Sequence, residues 1–288
     1  GGDNINLTVL MPPEADPHTY EPAPQDAGTI ADADLVFYTG LMYEPAPLIE
    51  LLENSVCGSE ALAEVGESVF PIEFKEGGHD DHDDHGEKGH DDHDEEGHDD
   101  HDDHGGHEGH GHGAYDPHFW FDPNRVVYAS EFIESKLIEL DPSNAASYQA
   151  AGDTYATELS SLTGQVSQLI GSIPSQNRKL ITTHESLGYL EAKFGLEVLS
   201  TIIPDLDSSN EITPAQLVGV IDVIEDNNVK VIFIEAEAPS VYAETIVAET
   251  GIKAVEGLWV ETLKPGQTYQ EFLIAAVELI VENLSNSD

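Results

Sequence analysis

The amino-acid sequence predicts an α/β protein in which two domains with parallel sheets are joined by one long helix. Short apolar segments alternate with amphipathic helical segments in both halves of the chain, as parallel strands and their crossover helices do. Between the halves, residues 144–172 form a polar stretch that would be roughly 43 Å long as a helix. We therefore expect a first domain at 1–143, a linking helix at 144–172 and a second domain at 173–288.

The first domain opens with residues 5–11, whose alternating β-prone residues predict a strand ending before Pro12. The later elements follow from apolar spacing and from the Pro and Gly residues between segments. In chain order they are a helix at 24–33, a strand at 35–39, a helix at 44–55, a strand at 61–65 and a helix at 124–139.

In the second domain, the continuous apolar run at 229–234 is typical of a parallel strand that is buried on both faces. His184 directly follows a strand predicted at 180–183, and Glu261 directly follows one predicted at 258–260. Four helices are predicted in this domain. The first ends at Phe194, the second begins at Thr213-Pro214, the third runs from a cap at Ser240 to Gly251, and the fourth carries an apolar face over 269–280.

Residues 78–113 contain only His, Asp, Glu and Gly apart from one Lys. Such a segment buries too little apolar surface to offset the entropy of ordering it, so we expect a disordered, solvated loop inside the first domain. Imidazoles and carboxylates are ligands for divalent metals, and a flexible run of them offers many weak, interchangeable sites. The segment therefore indicates a protein that handles metal ions.

The chain has a net charge of −47, and residues 78–113 contribute only part of it, with 15 acidic residues and one Lys. A field of this sign repels phosphate backbones and anionic lipid surfaces, so nucleic acid is excluded as a partner. It attracts cations, and it is equally compatible with a protein that works in high salt.

Cys57 is the only cysteine, which rules out an intrachain disulfide and a cysteine-based zinc cage. No apolar run approaches the length of a membrane span.

Only three of the 14 histidines lie outside the segment 78–113, namely His18, His118 and His184. Residues 16–18 and 116–118 share the tripeptide Asp-Pro-His. Proline stiffens the turn that presents each imidazole, and the neighbouring carboxylate suits a group that orients a metal-bound ring. A purely structural role is the better interpretation for one isolated His, but the repeat favours ligation.

His18, His184 and Glu261 each follow a predicted strand. Ligands of open α/β sheets bind beyond the carboxyl ends of the strands, so two facing domains would bring these groups and His118 together in the cleft between them. Three imidazoles and one carboxylate form a four-coordinate site that suits Zn²⁺. In so acidic a chain, Glu261 could equally be an ordinary surface residue. Its position after a predicted strand, and not its residue type, favours a role as a ligand.

Several motifs along the whole chain resemble those of the metal-binding receptors of zinc and manganese ABC transporters. They are VLMPP at 9–13, DPHTYEP at 16–22, ADLV at 33–36, DPH at 116–118, THE at 183–185, GYL at 188–190 and WVETL at 259–263. The resemblance implies two α/β domains, one long helix, and a metal held in the cleft by His18, His118, His184 and Glu261. Because zinc receptors have His at the third ligand position and manganese receptors a carboxylate, His184 favours zinc, with manganese less expected.

The resemblance also implies an extracytoplasmic, monomeric receptor that delivers zinc to an ABC transporter permease, with a lipid anchor possible outside the given sequence. Family members usually have a strand and a helix before the Gly-Gly-Asp found here at residues 1–3. The first domain is therefore expected to lack its first strand and helix.

Two other classes of function were weighed. A zinc hydrolase is disfavoured because no His-Glu-x-x-His pair of helical ligands is present, so we expect no enzymatic activity. An extracytoplasmic zinc buffer or storage protein without a transporter partner is the main alternative.

Overall fold

The computed structural model describes residues 1–13, 15–74, 115–238 and 241–285. The histidine-rich segment 78–113 and the predicted helix cap Ser240 therefore lie outside the described residues.

The first sheet consists of two parallel strands, β1 (Val36–Tyr38) and β2 (Leu62–Glu64), with Val36 opposite Leu62. Helices α1 (Asp26–Ala31) and α2 (Ala46–Ser55) lie before and between the strands in the chain, at the predicted places but with narrower bounds. Ile30, Leu48 and Leu52 form the buried centre of this region. We call residues 15–74 and 115–140 the N-terminal lobe.

The strand predicted at residues 5–11 is wrong, because this segment forms no regular strand in the structure. Leu7 and Val9 are exposed, at 76% and 72% of their surface. A strand needs a neighbour to complete its hydrogen-bond ladder, and no described strand pairs with this segment. The alternating pattern alone could not reveal that. His18 therefore follows an unpaired segment rather than a strand.

Two long helices form the middle of the chain, α3 (Pro123–Leu140) and α4 (Ala145–Gly171). The Asp122 carboxylate caps α3 by accepting a hydrogen bond from the Asn124 amide at 3.0 Å, and Pro123 occupies the first helical position. The 27 residues of α4 make it roughly 40 Å long. Its polar sequence leaves one buried stripe, formed by Tyr148, Leu159, Leu162, Val166 and Ile170.

The second sheet has four parallel strands in the order β4-β3-β5-β6. The strands are β3 (Lys179–Thr182), β4 (Glu197–Thr201), β5 (Val231–Glu235) and β6 (Lys253–Leu258). The helices of this region are α5 (Gly188–Phe194), α6 (Pro214–Asn227), α7 (Ala243–Thr250) and α8 (Tyr269–Ser285). We call residues 175–238 and 241–285 the C-terminal lobe. The α/β class with parallel sheets and a long helix is thus confirmed.

Two strands of the C-terminal lobe correct the sequence analysis. Edge strand β4 was missed, because it pairs only with β3 and is mostly half-buried, which weakens its apolar pattern. Strand β6 begins at Lys253 and ends at Leu258, whereas the prediction was 258–260. Only Val255 and Leu258 are buried in β6, so its apolar signal is sparse. Glu261 therefore lies three residues beyond the strand, on a loop.

The second sheet is buried on both faces. Val231 and Phe233 face a core that includes Leu159, Leu162, Val166 and Ile170 of α4 and the apolar face of α8. Ile232 and Ile234 face the opposite way, toward the buried residues of α6 and α7. In the part of the chain that the structure describes, every helix is too short or too polar to cross a bilayer.

Replacing Leu162 by Ala tests the role of the α4 stripe. Leu162 is only 2% exposed within the core between the two halves, so its truncation should lower the free energy of unfolding by about 2–5 kcal/mol. Gln168→Ala on the exposed face of the same helix should change it by less than about 0.5 kcal/mol. Denaturant unfolding of both variants without metal makes the comparison, and equal stabilities would contradict the packing described.

Candidate metal centre

His184 is placed by the topology of the second sheet. The chain goes from β3 to β4 on one side and then to β5 on the other side of β3, so the strand order reverses between β3 and β5. A crevice forms beyond the carboxyl ends at such a point. His184 follows β3, and Glu235 ends β5 beside it.

The Glu235 carboxylate fixes the His184 ring. Its Oε2 lies 2.5 Å from Nδ1 of His184, and its Oε1 accepts hydrogen bonds from the His184 amide at 3.3 Å and from Ser186 Oγ at 3.0 Å. All of these side chains are buried. Because Nδ1 is engaged with the carboxylate, Nε2 is left to face the centre of the cleft.

His118 has a similar arrangement in the N-terminal lobe. Asp116 Oδ1 accepts a hydrogen bond from the His118 amide at 2.8 Å and lies 2.7 Å from the His118 Nδ1 atom. The Asp116 backbone carbonyl in turn accepts a hydrogen bond from the Tyr189 hydroxyl at 2.8 Å. The carboxylate that the Asp-Pro-His motif predicted beside the ring is therefore present at His118.

At His18 the same tripeptide is used differently. Asp16 caps a short 3-10 turn, Pro17–Thr19, by accepting a hydrogen bond from the His18 amide at 3.0 Å. Its second oxygen accepts a hydrogen bond from Ser208 Oγ of the C-terminal lobe at 2.9 Å. Asp16 thus orients the backbone of His18 and contacts the opposite lobe, instead of contacting the ring.

The four predicted residues meet at one point. His18, His118, His184 and Glu261 each offer a ligand atom, and these atoms all lie within 4.8 Å of one another. Glu261 Oε1 is 3.8 Å from His18 Nε2, 3.3 Å from His118 Nε2 and 3.1 Å from His184 Nε2. The His118 and His184 Nε2 atoms are 3.3 Å apart. Two ligands come from each lobe.

The separations suit a tetrahedral metal ion. Zinc–ligand bonds of about 2.0–2.1 Å at tetrahedral angles place neighbouring ligand atoms about 3.3 Å apart. His18 Nε2 and Glu261 Oε1 are buried, and none of their contacts among the described residues has the geometry of a hydrogen bond, including the close approaches of Glu261 Oε1 to the His118 and His184 rings. Buried polar atoms are nearly always satisfied, so two unpartnered ones facing the same point fit a site whose partner is a cation.

Opposite charges in the site stabilise the ionised forms of the imidazoles and of Glu261. Burial by itself lowers the pKa of His118, but the carboxylates of Glu261 and Asp116 raise it to about 9. Burial also opposes a charged His184, yet Glu235 and Glu261 hold its pKa well above the ordinary value. Burial raises the pKa of Glu261, but the charge of His118 and contacts with the three imidazoles hold it well below its ordinary value. A metal ion binding here therefore takes the place of protons on the imidazoles.

Tyr43, Glu235 and Glu237 contact the ligands or their loops but were not predicted. Tyr43 donates a hydrogen bond to Glu261 Oε2 at 3.0 Å and packs edge-on against the rings of His18 and His118. Nothing in the sequence singles Tyr43 out. Glu235 did have a signal, since it is the carboxylate directly after the buried run 229–234.

Comparisons with known proteins identify the family and the fold. Residues 1–283 match the family model for zinc-uptake complex component A, periplasmic. The high-affinity zinc uptake system protein ZnuA of Bacillus subtilis is 28% identical, over 98% of this chain and 82% of its own length. The manganese-binding lipoprotein MntA of Halalkalibacterium halodurans is 23% identical, over 99% and 83%. The periplasmic zinc binding protein TroA from Treponema pallidum has the same fold, with a TM-score of 0.79 at 21% identity, over 99% of this chain and 93% of that protein.

The fold and the site define a metal-binding, substrate-binding protein of an ABC transporter. The chain belongs to the family of the periplasmic zinc-uptake component A. The resemblance drawn from the sequence motifs is thereby confirmed. Relatives named for zinc and for manganese share the match, so membership defines metal binding and not the choice of metal.

Asp116→Asn tests the orientation of His118. The change keeps the size of the side chain but removes the charge that supports the ring, so metal affinity should fall by about 10-fold or more. Asp222→Ala removes one exposed acidic group of the C-terminal lobe and should leave the affinity unchanged. Competition titrations with a chelator measure both, and equal losses in the two variants would mean that net charge, and not the ring contact, matters.

Glu185→Gln tests the half-buried carboxylate next to His184 in the chain. Burial raises the pKa of Glu185 from 4.5 to about 7, although Thr201 donates a hydrogen bond to it at 3.1 Å. The pKa of Glu185 is higher in the folded state than in the unfolded state. Its contribution to the free energy of unfolding is therefore fully present below pH 4.5, falls as the pH rises toward 7 and then levels off. Gln keeps an acceptor for Thr201 without the charge.

We therefore expect Glu185→Gln to stabilise the metal-free protein at pH 8, by on the order of 2–3 kcal/mol. The two proteins should have nearly equal stability at pH 4.5. Denaturant unfolding at both pH values measures the difference, and a stabilisation independent of pH would contradict the assignment.

Proposed function

We propose that the protein captures zinc outside the cytoplasm with high affinity and delivers it to the permease of an ABC transporter. The observation that carries the proposal is the convergence of three imidazole nitrogens on one carboxylate oxygen at 3.1–3.8 Å. His18, His118, His184 and Glu261 are proposed as the metal ligands. The metal is the cargo of the protein.

The ligand set supports zinc over manganese. Imidazole suits zinc, whereas manganese prefers carboxylate and carbonyl oxygens. Only one of the four converging groups is a carboxylate. A second carboxylate in place of His184 would favour manganese, which is the harder ion.

Capture and release both require the lobes to separate. The converging side chains of His118 and His184 have no exposed surface, so a metal ion cannot reach them while the lobes are closed. Since His18 and His118 belong to one lobe and His184 and Glu261 to the other, separation divides the site into two half-sites. Neither half offers four ligands, so an opened protein holds zinc weakly and can transfer it.

The remaining assignments rest on the family. Relatives carry names of metal ABC transporter substrate-binding lipoproteins, which supports a permease as partner and a lipid anchor at the outer face of the membrane. We propose that the receptor acts as a monomer. The domain bounds 1–143, 144–172 and 173–288 and the collection of metal by residues 78–113 remain predictions.

Metal content tests the site. Protein purified without an affinity tag should hold one tightly bound zinc ion per chain, and a variant lacking residues 78–113 should keep it. His184→Ala in that deletion variant should lose tight binding, because only three ligands remain. Glu249→Ala removes an exposed acidic residue of α7 that is not one of the four converging residues and serves as the control. Elemental analysis after dialysis measures zinc and manganese together.

Tight zinc that disappears with residues 78–113, or that survives His184→Ala, would contradict the assignment of the ligands. Transport tests the second half of the proposal. The protein should restore zinc uptake in cells that have the permease but lack their receptor. Tight zinc binding without restored uptake would favour the zinc buffer over the transport receptor.

A further inference from the structure

Glu237 is a buried carboxylate that lies behind the candidate site and touches none of the four converging atoms. It is 8% exposed and follows β5 by two residues. Its Oε1 accepts hydrogen bonds from the amides of Glu261 at 3.2 Å and Thr262 at 3.1 Å, and Oε2 accepts one from the Val260 amide at 3.3 Å. Three successive amides of the loop that carries Glu261 therefore point at one side chain.

These hydrogen bonds determine where the loop lies. Glu261 is beyond the end of β6, so the sheet ladder does not fix its backbone. A backbone amide that is buried without a partner costs about 1–3 kcal/mol, and the Glu237 carboxylate satisfies three of them at once. The Thr262 hydroxyl adds a fourth contact, at 3.3 Å from Oε1.

The end of β5 thus organises both ligands of the C-terminal lobe. Glu235 holds the ring of His184 through Nδ1, and Glu237, two residues later, holds the backbone of Glu261. One short segment, residues 235–237, therefore sets the distance between an imidazole and a carboxylate that come from different strands.

We propose that Glu237 is a positioning residue that fixes Glu261 to the C-terminal lobe, so that the His184–Glu261 half-site keeps its geometry when the lobes separate. This inference rests on the proposed metal-binding function. Without Glu237, the loop over 260–262 loses its anchor, and the Glu261 carboxylate samples positions from which it no longer reaches the metal.

The loss should differ between metals. An untethered carboxylate leaves three imidazoles, which suit zinc better than manganese. Removing Glu237 should therefore weaken manganese binding more than zinc binding. A general loss of stability would not change the ratio of the two affinities in this way.

The test compares Glu237→Ala and Glu237→Gln in the protein lacking residues 78–113. Glu237→Ala removes every acceptor and should weaken zinc by about 10–100-fold. Gln retains one oxygen for the Glu261 and Thr262 amides but places an amide group opposite Val260, so its loss should be smaller. The control is Glu191→Ala, which removes a carboxylate that accepts a hydrogen bond from the Val198 amide at 3.2 Å, near the start of β4. It should leave both metal affinities unchanged.

A double-mutant cycle with Glu261→Ala decides the mechanism. If Glu237 acts only through Glu261, adding Glu237→Ala to Glu261→Ala should change zinc affinity by less than about twofold. Wild-type affinity in both Glu237 variants, or an equal loss with and without Glu261, would overturn the inference. His184→Ala, measured alongside, keeps the two proposals separate: if it still binds zinc tightly, the proposed site is wrong, whereas if it loses zinc while Glu237→Ala does not, only the positioning role is wrong.

Discussion

The structure depends on three imidazoles and one carboxylate oxygen meeting where water is excluded. Glu261 Oε1 lies 3.1–3.8 Å from three Nε2 atoms, and the buried carboxylates of Asp116 and Glu235 stand behind two of the rings. Burying this much negative charge is costly unless positive charge accompanies it. Either protons on the imidazoles or a divalent cation can supply that charge. The same geometry that raises the pKa of His118 and His184 therefore also suits a divalent cation.

The two lobes share one apolar core, in which Phe121 of the N-terminal lobe packs near Phe272 of the C-terminal lobe, and several polar contacts around the site add to it. Each of these polar contacts is a single hydrogen bond, and single hydrogen bonds contribute only about 0.5–1.5 kcal/mol. They include Tyr43 to Glu261 at 3.0 Å, Ser208 to Asp16 at 2.9 Å, the Trp120 indole to the Val260 carbonyl at 2.7 Å and Tyr189 to the Asp116 carbonyl at 2.8 Å. A bound metal ion linking ligands of both lobes would outweigh any one of them.

The sequence predicted which side chains converge at the candidate site better than it predicted the segments that carry them. Three histidines outside the segment 78–113, two of them in a repeated Asp-Pro-His, could be recognised because residue type and local turn chemistry are written in the chain. The failures concern partners distant in sequence. Residues 5–11 have a strand pattern but no neighbour, and β4 has a neighbour but a weak pattern. Tyr43 contacts Glu261 across 218 positions, which no local pattern encodes.

The net charge of the protein affects how fast a metal ion arrives, whereas the converging side chains affect how tightly it is held. Only part of the charge of −47 lies in residues 78–113, so the described lobes are themselves strongly acidic. Their field extends about 10 Å in 0.1 M salt and raises the local concentration of cations, which accelerates encounter. It does not distinguish one divalent ion from another. Once an ion is between the lobes, ligand type and the fixed distances around Glu261 decide which ion stays, and salt screens such short, buried contacts far less. Salt should therefore slow capture, with little effect on which metal the proposed ligands His18, His118, His184 and Glu261 hold.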